Sequence, residues 1–325
     1  MPLRVGVIGA GFMGQHHTRI YSELPNAELV GIADVDERAG AVACKYDAPF
    51  FKDFRQLLEL EPELVSIAVP TSLHHEVALE ALDRGCHVLV EKPISDRLEH
   101  AQAIVDAAKQ VKRKVFVGHI ERFNPAIRSL KEAIARGTFG EVQSIANLRV
   151  GRYNERIFDT GIILDLGTHD VDLISYLFGR CARSVFAVGS LQAGRAFEDH
   201  ATITLRFSEE ETGYIELSWL SPYKVRKMFV TGTRHFGLVD LMEQSIIIYD
   251  GDRWADSGLV SRNEPLRLEL ESVLRAVEDD LAPEVSGEDS MYTLRVALSA
   301  IESYRRGEAA HFPDLAGTGY PIGSE

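Results

Sequence analysis

Three short stretches carry the side chains that could do chemistry. In Glu91-Lys92-Pro93 a lysine closes an apolar run. Its ammonium can polarise a hydroxyl or, with its pKa lowered by desolvation, act as a base. In Asp165-Leu166-Gly167-Thr168-His169-Asp170-Val171-Asp172, Asp165 and His169 are i and i+4 on a helix and share a face, with Asp172 three further on. A histidine flanked by carboxylates on its own face can be oriented and tuned as a proton acceptor near neutral pH. A helix cap at Asp165 and a hydrogen-bonded core histidine are the structural alternatives. Zinc is another, but no third ligand accompanies the pair, so no metal is expected. The third stretch, Gly9-x-Gly11-x-x-Gly14, follows the apolar run Val5 to Ile8 and opens a helical pattern. In that setting Gly9 allows a tight turn, Gly11 lets the backbone approach a pyrophosphate, and Gly14 lets the helix lie close to the strand. The unpaired N–H groups and positive dipole end at the helix start then hold the phosphates.

These residues need a frame that aims them at one another. Apolar runs at Leu3–Ile8, Ala27–Ala33, Leu64–Val69, His87–Val90 and Lys114–Val117 alternate with helical patterns at 14–22, 71–84 and 96–111. Strands alternating with helices at this spacing predict a doubly wound parallel sheet ending near residue 120. Ligands of such sheets bind outside the carboxyl ends of the strands, which is where both the glycines and Lys92 fall. Asp34 ends the second run, where a carboxylate accepts hydrogen bonds from an adenosine ribose and repels a 2′-phosphate, so NAD is expected over NADP. Its alternative role is an ordinary helix cap. Beyond residue 120 the texture changes. Helical patterns at 125–136, within 161–177, at 265–281 and at 290–305 flank a series of strand-like segments over 182–250. A second α+β domain over 121–325 is expected, with a largely antiparallel sheet open on one face.

Composition narrows the function classes. The chain has 325 residues, enough for two domains, and 45% of them are hydrophobic. A formal net charge of −14 argues against nucleic-acid and anionic-membrane partners. No apolar run is long enough for a membrane span, so a cytoplasmic protein is expected. Cys44, Cys86 and Cys181 are odd in number and far apart, as reduced thiols would be.

Taken together, Gly9-Ala10-Gly11-Phe12-Met13-Gly14, Pro70-Thr71-Ser72-Leu73-His74, Glu91-Lys92-Pro93 and Asp165-x-Gly167-x-His169-x-x-Asp172 resemble the Gfo/Idh/MocA oxidoreductases, which act largely on sugars and cyclitols. The resemblance runs over nearly the whole chain. It implies a nicotinamide-binding Rossmann domain, with cofactor contacts at Gly9, Gly11, Phe12, Met13, Gly14, Asp34, Pro70, Thr71, His74, Glu91 and Lys92. It further implies a substrate domain whose open sheet supports a homodimer or homotetramer, and a catalytic set of Lys92, His169 and Asp165. Thr71 departs from the asparagine that many members carry.

Two further stretches, 117–125 and 156–170, resemble the branch that oxidises the 3-hydroxyl of UDP-N-acetylglucosamine, whose keto product is aminated by a partner aminotransferase toward 3-amino sugars of the lipid A type. By that resemblance the substrate site takes in Arg122, Asn124, Arg152, Asp165 and His169. A diphosphate on a protein this acidic needs local cations, and Arg122, Arg149, Arg152 and Arg156 lead into the histidine stretch. The alternatives are an inositol or free-sugar dehydrogenase, which needs no diphosphate clamp, and a non-catalytic nucleotide sensor, against which the presence of both Lys92 and His169 speaks.

Overall fold

The structure is a computed structural model that describes residues 1–153, 160–192, 196–251, 253–258, 260–315 and 317–320. It divides into two compact units. The first comprises Met1–Ile120 and Leu266–Tyr292, and the second Glu121–Pro265 with the segment that starts at Thr293.

In the first unit, strands β1 (Leu3–Ile8), β2 (Ala27–Ala33), β3 (Phe50–Phe51), β4 (Leu64–Ile67), β5 (His87–Val90) and β6 (Val115–Val117) form one parallel sheet in the order β3-β2-β1-β4-β5-β6. Every residue of β4 is buried, as a parallel strand covered on both faces requires. The connecting helices are α1 (Phe12–Glu23), α2 (Gly40–Lys45), α3 (Phe54–Leu58), α4 (His74–Asp83) and α5 (Leu98–Val111). In α5 the buried residues Ala101, Ile104, Val105 and Ala108 recur at helical spacing and form its inner stripe. The strand order reverses between β1 and β4, the switch point at which such sheets bind ligands.

The second unit holds α6 (Pro125–Ala135), β7 (Val142–Arg152), a π-helical turn (Ile163–Gly167), α7 (Thr168–Phe178) and the strands β8 (Ser184–Ser190), β9 (His200–Arg206), β10 (Thr212–Ser218), β11 (Leu220–Gly232), β12 (Phe236–Asp240), β13 (Ser245–Asp250), β14 (Arg253–Gly258) and β15 (Ala310–His311). Nine strands make one sheet in the order β14-β13-β12-β11-β7-β10-β9-β8-β15. Among the described residues only β7 and β10 pair in parallel. Residues alternate between faces. Ile145, Ile203, Ile215, Leu217, Met228 and Val230 are buried on one, whereas Phe186, Val188, Tyr214 and Phe236 stand exposed on the other. The sheet is therefore open on one side, as expected.

One segment departs from the domain division read from sequence. Residues 266–292 belong with the first unit, because the apolar stripe of α8 (Pro265–Glu278) completes that unit's core. Leu266, Leu270, Val273 and Leu274 are buried with Leu3, Val5, Val7, Ile20, Tyr21 and Leu64. The last helix, α9 (Gly287–Arg306), follows.

The same helix buries a carboxyl. Glu269 is 1% exposed and neither of its oxygens has a hydrogen-bond partner among the described residues. Burial first, then the charges of Glu91 and Glu284, pushes its pKa well above the ordinary carboxyl value. A folded-state pKa raised in this way contributes stability that is complete below the unfolded value and is lost as pH rises toward the folded one. Glu269→Leu is therefore expected to raise the unfolding temperature, by an amount corresponding to about 1–3 kcal/mol near pH 8, with a smaller gain at pH 5. Thermal melts of both proteins at the two pH values check this, and a pH-independent difference would contradict it.

Candidate active site

The glycine stretch joins β1 to α1. Gly9 has φ +91°, and a Cβ there would lie 2.5 Å from the Ala68 carbonyl oxygen. A Cβ on Gly14 would lie 1.7 Å from the Gly9 oxygen, so any side chain would force α1 off the loop. Gly11 is different, since a Cβ there would meet nothing within 4 Å. It faces open space at the N-cap of a twelve-residue helix that no side chain caps. An anion can approach this backbone without obstruction. Phe12 is exposed and packs edge-on against His16, while Met13 lies partly buried against the core.

A pocket of about 380 Å³ opens beside the loop, lined in part by Gly9, Gly11, Asp34, Val35, Pro70 and Leu73. Asp34 Oδ2 accepts the Ala10 N–H at 2.7 Å and Oδ1 the Asp36 N–H at 2.8 Å. Asp34 thus ties β2 to the glycine loop, and each oxygen keeps a second lone pair directed to further donors. It does not cap the following helical turn; Asp36 does that, accepting the Arg38 N–H. Open backbone at an uncapped helix, beside an apolar pocket rimmed by a carboxylate, fits a dinucleotide.

Past the ends of β4 and β5, two residues expected as cofactor contacts, His74 and Glu91, have partners inside the protein. His74 is buried, with Nδ1 2.9 Å from the Pro93 oxygen and Nε2 3.0 Å from the Val69 oxygen. Burial pushes its pKa down against the pull of those carbonyls. The neutral ring donates through one nitrogen to one of these two carbonyls and packs its other nitrogen against the second, so it sits between the ends of β4 and β5. Glu91 is also turned inward. Its Oε1 lies 3.1 Å from His17 Nε2 and its Oε2 accepts the Lys92 N–H at 3.2 Å. Burial alone would raise its pKa, but His17 and Lys92 together leave the carboxyl below its ordinary value. Glu91 thereby fixes the backbone of Lys92, whose side chain is half-buried just past β5. Thr71 begins a short 3₁₀ turn after Pro70. His17 was not legible as a functional residue, since nothing in its spacing couples it to Glu91.

In the second unit, His169 is 8% exposed and is the second residue of α7. Asp165 lies in the π-helical turn just before it, so the two are not a simple α-helical pair. Such turns recur at functional sites. Glu198, buried and missed by sequence reading, accepts the Ile163 N–H at 3.1 Å and seats the start of this turn. Burial pushes the Glu198 carboxyl up. Gly167 is a packing residue, as a Cβ there would come 3.1 Å from Leu217 on β10.

Asp172, read from sequence as a carboxylate on the His169 face, is engaged by residues far along the chain. It accepts two bonds from Arg122, Nε at 2.9 Å and an Nη at 2.6 Å, and a third from the Tyr320 hydroxyl at 2.8 Å. Arg122 is 4% exposed, so the expected substrate clamp is a buried internal ion pair instead. Asn124 is corrected likewise. It is buried, caps α6 by accepting the Ala126 N–H, and donates to the Leu241 oxygen. Arg149 is buried between Asp170 and Glu121, with Asn147 donating to the same Asp170. Burial opposes its charge, but the two carboxylates outweigh it and hold the guanidinium firmly protonated. Arg152 stays exposed at the end of β7, donating to the Pro222 oxygen. Arg156 lies outside the described residues. Among the described residues no group of three or more His, Cys, Asp or Glu is arranged to hold a metal.

Comparison with known proteins decides the family. Residues 3–119 match the oxidoreductase family with an NAD-binding Rossmann fold, and 127–235 match the GFO/IDH/MocA C-terminal domain. The chain belongs to the Gfo/Idh/MocA oxidoreductases. It is 30% identical to the UDP-N-acetylglucosamine 3-dehydrogenase of Acidithiobacillus ferrooxidans over 85% of this chain and 88% of that one. It is 27% identical to the myo-inositol 2-dehydrogenase of Thermotoga maritima over 97% and 100%. The solved structure of the Acidithiobacillus enzyme superposes with a TM-score of 0.87 at 29% identity, covering 94% of this chain and 99% of that one. The Gfo/Idh/MocA assignment makes this an NAD-dependent dehydrogenase of sugar or polyol substrates. No described helix is long and apolar enough to cross a membrane.

Proposed function

We propose that this enzyme oxidises the 3-hydroxyl of UDP-N-acetylglucosamine to the 3-keto sugar. The observation that carries this reading is the likeness to the Acidithiobacillus dehydrogenase, which extends over both units. In this reading NAD is held by the Gly9–Gly14 backbone and Asp34, and when bound it supplies the hydride acceptor. The imidazole of His169 removes the hydroxyl proton as general base. By the family resemblance the Lys92 ammonium polarises the reacting oxygen, and Asp165, in the turn before α7, serves beside His169. Pro70 and Thr71 complete the cofactor side, and Arg152 borders the substrate. The keto sugar then passes to an aminotransferase for 3-amino sugar synthesis. The exposed apolar face of the second sheet supports assembly as a homodimer or homotetramer.

A second reading, oxidation of an inositol, is favoured by one specific observation. Arg122 and Arg149, two of the cations a diphosphate would need, are committed to internal carboxylates. The test is incubation with NAD and a panel of UDP-sugars, myo-inositol and scyllo-inositol. Each is run with and without an aminotransferase and amino donor, following NADH and identifying products by mass. The coupled arm keeps an uphill oxidation from being missed. A 3-keto or 3-amino product from UDP-N-acetylglucosamine is expected. Turnover of an inositol alone would replace the first reading by the second.

A further inference from the structure

We propose that Lys224 and Arg226 of β11 form the subsite for the substrate's diphosphate beside His169, taking the role that the sequence reading gave to Arg122, Arg149, Arg152 and Arg156. The inference rests on the nucleotide-sugar reading above and adds the residues that would recognise it.

Strand register provides the geometry. Arg226 is opposite Arg149 in the β11–β7 pairing, and Met228 and Val230 continue the same face toward the buried core. Arg149 grips Asp170, the residue that follows His169. Arg226 therefore lies on the sheet face that carries α7, at the end of α7 where His169 stands. Lys224, two residues on, is on that face as well, since a Cβ on Gly151 would come 3.8–4.0 Å from the Lys224 Cα, Cβ and Cγ. The missing side chain at Gly151 leaves space beside the lysine.

The electrostatics call for an anion at this point. Arg149 and Arg226 donate to one and the same oxygen, Glu121 Oε1, at 2.8 and 3.1 Å. Asp170 is already occupied by Arg149 and Asn147. Arg226 is thus held by a shared carboxylate, with only the more distant charges of Asp170 and Asp165 to help. The charge of Arg226, followed by burial, depresses the Lys224 ammonium, with Arg149 adding to the effect and Glu121 opposing it. On a chain of net charge −14, an exposed lysine set beside two arginines that share one carboxylate oxygen is an arrangement that a diphosphate complements. Lys224 is exposed, so its side chain can reach solvent and a ligand, whereas Arg226 is braced in place.

Lys224 is the residue to vary, because among the described residues no hydrogen bond or ion pair of its side chain ties it to the rest of the fold. UDP binding is measured by calorimetry at saturating NADH, and KM and kcat are measured with UDP-N-acetylglucosamine and with myo-inositol. Lys224→Glu is expected to weaken UDP and raise KM for the UDP-sugar by about tenfold or more, with kcat and NADH affinity little changed, and Lys224→Arg to restore most of it. UDP affinity within twofold of wild type in both Lys224→Ala and Lys224→Glu would overturn the subsite while leaving the proposed function intact. Wild-type enzyme that binds no UDP and oxidises only inositol would overturn both.

Discussion

His169→Asn is expected to lower kcat by roughly 10²–10⁴-fold, the usual contribution of a positioned general base, while leaving NADH affinity within a few-fold of wild type. The expectation follows from what each unit does with its own residue. Glu91 fixes the Lys92 backbone through the N–H, and His17 fixes Glu91 from behind, so the lysine is anchored at a strand end next to the cofactor loop. His169 is seated at the start of α7 by a turn that Glu198 caps and Gly167 packs onto β10. Neither residue lines the pocket beside the glycine loop, which is formed by residues of β1, β2 and β4 and their loops and in the reading above takes the adenosine end of the cofactor. Lys92→Ala should also lose turnover, but through a weakened grip on the reacting oxygen rather than loss of the proton acceptor. The two roles separate in the pH profile. With His169 as base, Lys92→Ala keeps the wild-type acidic limb and His169→Asn loses it. Near-full turnover in His169→Asn, together with abolition in Lys92→Ala, would reverse the roles.

Five of the six strands of the parallel sheet were legible because each is a largely apolar run closed by turn residues, a pattern that depends only on neighbours in the chain, whereas β3, two residues long, gave no such run. The mechanical roles of Gly9 and Gly14 were legible for the same reason, and the close approaches of a Cβ to Ala68 and Gly9 match them. What was not legible depends on partners far along the chain. Arg122 and Arg149 carry side chains suited to a diphosphate and Asn124 one suited to a substrate, and nothing local says that Asp172, Tyr320, Asp170, Glu121 and Leu241 engage them. His74 opens α4 and Glu91 follows β5, both in motifs read as cofactor contacts, yet the partners the structure gives them are the Val69 and Pro93 carbonyls and His17. The stripe of α8 marks a buried face without saying which sheet it covers, and so the return of 266–292 to the first unit was missed. The π-helical turn escaped because a spacing of four reads as α-helix until the backbone is known.

Arg122→Ala is expected to destabilise the protein by about 3–5 kcal/mol, the cost of leaving one member of a buried ion pair unpaired. Asp172 is 1% exposed, and without the guanidinium its carboxylate would keep only the Tyr320 hydroxyl among the bonds described above. Arg122 also donates to that hydroxyl, at 2.6 Å, and its guanidinium lies 5.1 Å from the ring centres of both Tyr176 and Tyr320. The planar fork therefore satisfies a carboxylate, a phenol and two aromatic faces at once. Arg122→Lys should recover little, because an ammonium cannot make the two parallel bonds. The pair Arg122→Met with Asp172→Leu should recover most of the loss, since removing both charges removes the desolvation cost as well. Urea unfolding of the four proteins gives these differences directly, with the exposed Arg152→Ala as a control of wild-type stability. A substrate clamp behaves in the opposite way: Arg122→Ala would unfold like wild type and raise KM for the UDP-sugar. That outcome would return Arg122 to the binding site and remove the main reason for assigning the diphosphate to Lys224 and Arg226.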